Sequence, residues 1–234
     1  MTTREIRSRV RALADKEKAK VLRGFFKTGP GQYGEGDIFL GITVPVLRKL
    51  APEYRGASLA DALVLLRSTI HEERFLALLL LLHSYANGDD SVKKKIYHLY
   101  FKNTRYINNW DLVDLSAPKI VGAYLANKSR RPLYVFAKSK DLWKKRIAIL
   151  STFHFIRQND FSDALELSGM LIKDDHDLIH KAVGWMLREV GKRDMQSVER
   201  FLKQHCRKMP RTMLRYAIEL FPEAKRRKYL NSAI

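Results

Sequence analysis

The sequence predicts an all-α protein built from repeated helix pairs, and three observations carry that prediction. Apolar residues recur at helical spacing, as in Leu78, Leu81 and Leu82 and again in Val183, Leu187 and Val190. No stretch alternates apolar and polar residues over a strand's length, so strands are not expected. Proline and glycine are scarce outside one region, and six of the 12 glycines fall between Gly24 and Gly41.

Taken in order, the chain opens with one long expected helix over roughly residues 3–26, followed by the Gly-rich loop and then helix pairs to the C-terminus. The later segments resemble one another. His71-Glu-Glu-Arg-Phe-Leu-Ala-Leu-Leu, Leu142-Trp-Lys-Lys-Arg-Ile-Ala-Ile-Leu and Leu178-Ile-His-Lys-Ala-Val-Gly-Trp-Met each set a basic residue before a small and apolar stripe. Those basic residues are Arg74, Arg146 and Lys181; the first two lie 72 residues apart, two periods of 36, and the next follows after 35. The middle period falls near Trp110 to Val113, where another helix begins, and Arg211-Thr-Met-Leu-Arg-Tyr-Ala-Ile starts 30 residues after Lys181. A two-helix unit of this length suggests a HEAT- or TPR-like solenoid whose concave face carries one basic residue per repeat. No linker divides residues 1–234, so a single domain with a concave basic groove is expected.

Charge narrows the class of partner. The 234 residues hold 44 Lys and Arg against 25 Asp and Glu, a net charge of +19. Self-repulsion of that size opposes folding, and its usual meaning is a polyanionic partner. The basic residues run through the whole chain, from Arg4, Arg7, Arg9 and Arg11 through Lys138–Arg146 to Lys225–Lys228. That distribution suits a long phosphate backbone better than a small acidic metabolite, although a basic protein with no particular ligand is the plain alternative. Apolar residues make up 46% of the chain, enough for a core. The single cysteine, Cys206, rules out an intrachain disulfide framework and argues against a structural zinc site. No apolar stretch near the N-terminus suggests a signal peptide, and the run Phe75–Leu82 is too short for a bilayer span. A cytoplasmic monomer, associated with the nucleoid when bound to DNA and not with a membrane, is the expectation.

Most catalytic signatures are missing: there is no Gly-x-Ser-x-Gly, Walker A, His-Glu-x-x-His or Cys-x-x-Cys motif. The Gly-rich loop could offer backbone N–H groups to a phosphate but lacks the Gly-Lys-Ser/Thr ending, and a plain connector explains it as well. Cys206 would need a histidine and an orienting group in space, and adjacent His205 points elsewhere on a helix. The more informative stretch is Asn108-Asn-Trp-Asp-Leu-Val-Asp. Trp110 and Asp114 are four apart and so share a helix face. An aromatic face attracts a cation by about 0.5–2 kcal/mol, and a neighbouring carboxylate adds a full charge, so the pair suits a positive ligand. A core tryptophan with acids favouring a helix N-terminus fits the same spacing, and spacing alone leaves both readings open. Trp185, in another repeat, could supply a second aromatic across the groove, with Arg146 and Arg188 holding phosphates by paired hydrogen bonds.

Along nearly its whole length the chain resembles the AlkD-type DNA alkylation-repair glycosylases, which are built of HEAT-like repeats. The likeness lies in the stretch from Phe25 to Pro45, in Trp110-Asp-Leu-Val-Asp, in Trp143-Lys-Lys-Arg-Ile-Ala-Ile-Leu and in Lys181-Ala-Val-Gly-Trp-Met-Leu-Arg-Glu. The resemblance implies a catalytic set of Trp110, Asp114, Arg146 and Trp185, a DNA-contacting Arg188, and Phe25 as an aromatic near the lesion. His154 stands where some relatives have a lysine, and Asp177 and Leu178 where some have aromatics. With the repeat register, the expected DNA contacts are Arg188, Lys181, Phe25, Lys144, Lys145, His154 and Arg74.

The implied activity is monofunctional removal of cationic alkylated bases, of the 7-methylguanine or 3-methyladenine type, from double-stranded DNA, with neither metal nor cofactor. Two rivals keep the charge and the repeats: a non-catalytic protein recognising damaged or branched DNA, and an adaptor for acidic proteins. Neither gives Asp114 a role, and non-catalytic relatives share this fold.

Overall fold

The computed structural model describes residues 2–231, and these are helical nearly throughout. Among them the only extended pairing is an isolated parallel bridge between Ile38 and Ile70. Among the described residues no helix is long and apolar enough to cross a membrane. The chain forms two compact units that divide after Ser116.

The first unit contains α1 (Thr3–Arg11), α2 (Lys16–Phe25), α3 (Val44–Leu50), α4 (Leu59–Leu66), α5 (His71–Asn87), α6 (Asp90–Lys102) and α7 (Trp110–Ala117), whose last residue passes the division. The expected long first helix is in fact two helices. Thr2 and Glu5 close a capping box on α1, and Asp15 starts α2 by accepting the Lys18 N–H at 3.0 Å. The Asp15 N–H is drawn out of the helical ladder to the Leu40 carbonyl at 2.8 Å, so the end of the Gly-rich loop fixes the break.

Helix α5 is the centre of this unit and packs against α1, α3, α4 and α6. Its middle, Phe75 to Leu78, is buried on every side. Its first turn is buried as well, although it is made of four ionisable residues, His71, Glu72, Glu73 and Arg74, none more than 3% exposed. Buried charge is costly unless it is partnered, so each of these four must be answered by another group. Glu72 accepts the N–H groups of Leu40, Gly41 and Ile42 at 2.8 to 3.2 Å, which clamps the end of the Gly-rich loop. Gly41 is required there: its φ of 88° is left-handed, and a Cβ would fall onto the Asp15 carbonyl. Glu73 takes Arg7 and Arg11 of α1 at 3.0 and 3.5 Å.

The second unit begins with a π-helical turn, Pro118–Gly122, and continues through α8 (Ala123–Leu125), α9 (Arg131–Ala137), α10 (Leu142–Ile156), α11 (Ser162–Met170), α12 (Asp177–Gly191), α13 (Met195–His205), α14 (Arg211–Ala217) and α15 (Glu223–Leu230). The repeat register is realised here. Helices α10, α12 and α14 pack in succession, and α9, α11 and α13 touch one another in the same order. Across both units the segments matched in the sequence are helix starts, at His71, Trp110, Leu142, Asp177 and Arg211. Gly184 permits the close approach of α12 to α14, because a Cβ would strike Tyr216 and the Met213 carbonyl.

Candidate functional site

In the first unit the end of α2 supplies two aromatic residues with opposite fates. Phe26 is buried, and Lys27, at a left-handed φ of 54°, turns the chain into the Gly-rich loop. Phe25 remains 60% exposed. Trp110, half-buried at the start of α7, stacks on Phe26 with centroids 5.3 Å apart and planes 17° off parallel. Phe26 stacks in turn on Phe39 at 4.9 Å, and Phe39 on the His71 ring at 4.4 Å. Phe25 meets the edge of Trp110 at 5.9 Å. The indole is thus one end of an aromatic column whose other rings are buried, an arrangement that fixes its plane. Asp114 stands one turn further along α7 and is half-buried. Burial, with a smaller contribution from the Asp114 charge, pushes up the phenol of Tyr100, which shares a 3.0 Å hydrogen bond with Ser116.

Beneath Trp110 lies a polar network. The Asn109 side-chain oxygen accepts the Trp110 N–H at 2.8 Å, and its amide donates to Asp37 at 3.2 Å. His71 Nε2 lies 2.8 Å from an Asp111 carboxylate oxygen, and His71 Nδ1 lies 3.2 Å from an Asp37 carboxylate oxygen. Arg74 completes the network at 2.7 Å from the second Asp37 oxygen. Burial alone would lower the His71 pKa, but the charge and hydrogen bond of Asp111, with Asp37, outweigh it and raise the pKa above its ordinary 6.5. Burial would raise Asp37, yet the hydrogen bond from His71 and the charge of Arg74 hold it below the usual carboxylate range.

Arg74 does not occupy the place expected of a DNA contact. It is 3% exposed, and its guanidinium is committed to Asp37 and to the carbonyls of Ser68 and Thr69. The cause is its position in the inward-facing first turn of α5, beside a loop that supplies a carboxylate.

In the second unit Arg146 lies on α10, 5% exposed, and donates to the Leu178 carbonyl in the first turn of α12. That helix carries Trp185, half-buried, whose Nε1 donates to Glu189 at 3.2 Å and whose ring meets Phe153 at 5.8 Å. Glu189 is itself buried and also takes Lys192 at 2.7 Å. Of the expected DNA contacts, Lys145 pairs with Asp174, Arg188 with Glu219, and Lys181 with Asp177 at 2.7 Å; Lys144 is half-buried. His154 is half-buried, and burial followed by the charges of Arg157 and Arg130 lowers its pKa, so it is neutral at pH 7.

Sequence reasoning passed over Asp37, His71, Asn109, Asp111 and Glu189. A signal for the first of these existed: four consecutive ionisable residues opening an otherwise apolar helix demand buried partners, and Asp37 is one of two acids in the Gly-rich loop before α3.

The family model for the DNA alkylation repair enzymes matches residues 6–221. Among solved structures, one described as a predicted DNA alkylation repair enzyme from Enterococcus faecalis superposes with a TM-score of 0.71 at 18% identity, covering 90% of this chain and 97% of that one. At that identity the likeness speaks for the fold. No curated protein gives a match.

Proposed function

The chain belongs to the DNA alkylation repair enzymes, and on that premise we propose that it is a monofunctional DNA glycosylase acting on cationic alkylated bases in double-stranded DNA. The observation that carries this reading is Trp110, held by the column of Phe26, Phe39 and His71, with the Asp114 carboxylate one turn along the same helix. A fixed aromatic face and a carboxylate suit a reaction in which positive charge develops.

Alkylation at a ring nitrogen makes the base cationic. The N-glycosidic bond then breaks with its electron pair passing to the base, which leaves neutral, so no acid is needed to protonate it. The sugar becomes oxocarbenium-like. Asp114 stabilises that charge and orients a water, whose oxygen bonds to C1′ and whose proton passes to the carboxylate or to solvent; an abasic site remains. Trp110 and Trp185 stabilise the cationic base and sugar through their faces. Arg146 holds the backbone of the lesion strand, and Arg188, Lys181, Lys144 and Lys145 take phosphates, exchanging their present carboxylate partners where they have one. The chemistry calls on no metal or cofactor, because the substrate brings its own charge. Phe25 rests against the lesion nucleotide. On this reading residues 1–234 act as one HEAT-like domain, a cytoplasmic monomer that joins the nucleoid through DNA.

The test is timed base release by purified protein from duplexes carrying 7-methylguanine or, separately, a neutral O6-methylguanine. The reading predicts release of the first and none of the second. Salt-sensitive duplex binding without release of either would move the assignment to a non-catalytic DNA-binding protein.

A further inference from the structure

The two residues that flank Trp110 are tied to one buried acid. Asn109, wholly buried, donates directly to Asp37; Asp111, 8% exposed, reaches the same Asp37 through the two nitrogens of His71. The contacts close a ring, Asp37 to His71 to Asp111 and back through Asn109, and its covalent segment is Asn109-Trp110-Asp111. A single side-chain cap is enough to start a helix. Replacing buried charges with apolar groups often leaves stability unchanged or improved, so stability alone does not account for such a ring. What it supplies is a defined position for one turn of α7.

We propose that Asp37, His71 and Asp111 are positioning residues of the reaction, setting where Trp110 and Asp114 stand, and that they do so only while the His71 ring carries both protons. The inference rests on the roles given above to Trp110 and Asp114. Charge balance supports it. The groups facing His71 are Asp37 from the loop, Asp111 from α7 and Arg74 from α5, with the rings of Phe26 and Phe39 beside it. Two carboxylates meet two cations only when the imidazole is doubly protonated. A neutral ring has one N–H, so one carboxylate loses its donor and faces a lone pair, and the ring opens on one side of Trp110. The charge and hydrogen bond of Asp111, with the hydrogen bond of Asp37, raise the His71 pKa above its ordinary value, which favours the closed form. Phe26 adds a second path, since it touches both His71 and Trp110.

The experiment uses the full chain with 5-fluorotryptophan at its three tryptophans, the Trp110 signal being assigned with Trp110→Phe. Its fluorine resonance is followed in wild type, in His71→Gln and in Asp111→Asn, the last being isosteric and keeping an oxygen for the Leu112 N–H. Single-turnover release of 7-methylguanine and duplex affinity are measured in parallel, and the His71 ring nitrogens are observed at pH 7. The proposal expects a doubly protonated ring, a Trp110 resonance that moves in both variants while those of Trp143 and Trp185 stay, and a release rate lowered about ten- to hundredfold with duplex affinity changed less than about twofold. If His71→Gln does not fold, Asp111→Asn decides. A neutral ring at pH 7, or a Trp110 resonance indifferent to Asp111→Asn, overturns the proposal. Should wild type release no base, the glycosylase reading fails, and the fluorine signal still judges the positioning.

Discussion

Two helix starts occupy the same repeat position and use it in opposite ways. In the first unit, His71-Glu-Glu-Arg opens α5, and all four side chains turn inward to partners within the unit. In the second, Trp143-Lys-Lys-Arg lies at the start of α10. There only Trp143 and Arg146 are buried, and the two lysines between them keep part of their surface. The difference comes from what lies beside each start. The Gly-rich loop before α3 brings Asp37 and three backbone N–H groups to α5 and consumes Arg74, His71 and Glu72. At α10 the neighbour is the first turn of α12, which offers Arg146 a carbonyl and Lys145 the Asp174 carboxylate. A shared register therefore fixes where a helix begins and which face is inward, and it does not fix whether a basic residue is structural or available to a ligand.

The contrast can be broken most forcefully at its two arginines. Arg74→Ala takes from the buried Asp37 its arginine partner and should lower unfolding free energy by about 3–5 kcal/mol. Arg146→Ala should sharply reduce base release. Urea denaturation of Arg74→Ala and timed release of 7-methylguanine by Arg146→Ala check the two, and an unchanged stability in the first or wild-type release in the second would erase the distinction drawn here.

A pH series sharpens it next. The folded pKa of His71 lies above its unfolded value, so its contribution to stability is complete below about 6.5 and is lost as pH rises through the raised folded value. Asp37 runs the other way: its lowered pKa gives stability above about 3.8 that disappears as pH falls through the folded value. Denaturation midpoints should therefore decline on the alkaline side in wild type, and His71→Gln should remove that slope. A slope that survives the substitution would have to come from other groups.

The smallest effect belongs to the surface. Lys181, whose side chain is 41% exposed and pairs with Asp177, should change stability by less than about 0.5 kcal/mol when replaced by alanine. Its loss should still reduce the log–log salt slope of duplex binding by about 0.9, which fluorescence anisotropy at several salt concentrations measures.

Most of the helical order was legible in the sequence, because apolar spacing and the repeat of small-and-apolar segments mark helix starts from local information. The break between α1 and α2 was not. Ala12, Leu13 and Ala14 all favour helix, and the interruption depends on Leu40, distant in sequence, capturing the Asp15 N–H. The pairing of Trp110 with Asp114 on one helix face could be read from spacing, and both do lie on α7. The network that anchors them could not, since it needs a loop acid, a helix histidine and an asparagine from three separate parts of the chain. The commitment of Arg74 to Asp37 could not be read for the same reason: nothing local marks it as a residue with a buried partner.

The most direct test of the account is Asp114→Asn, with duplex affinity and single-turnover release of 7-methylguanine measured on the same preparation. The account predicts affinity close to wild type and release reduced to the uncatalysed rate. Release at the wild-type rate would contradict it and take from Asp114 the role on which the proposed chemistry depends.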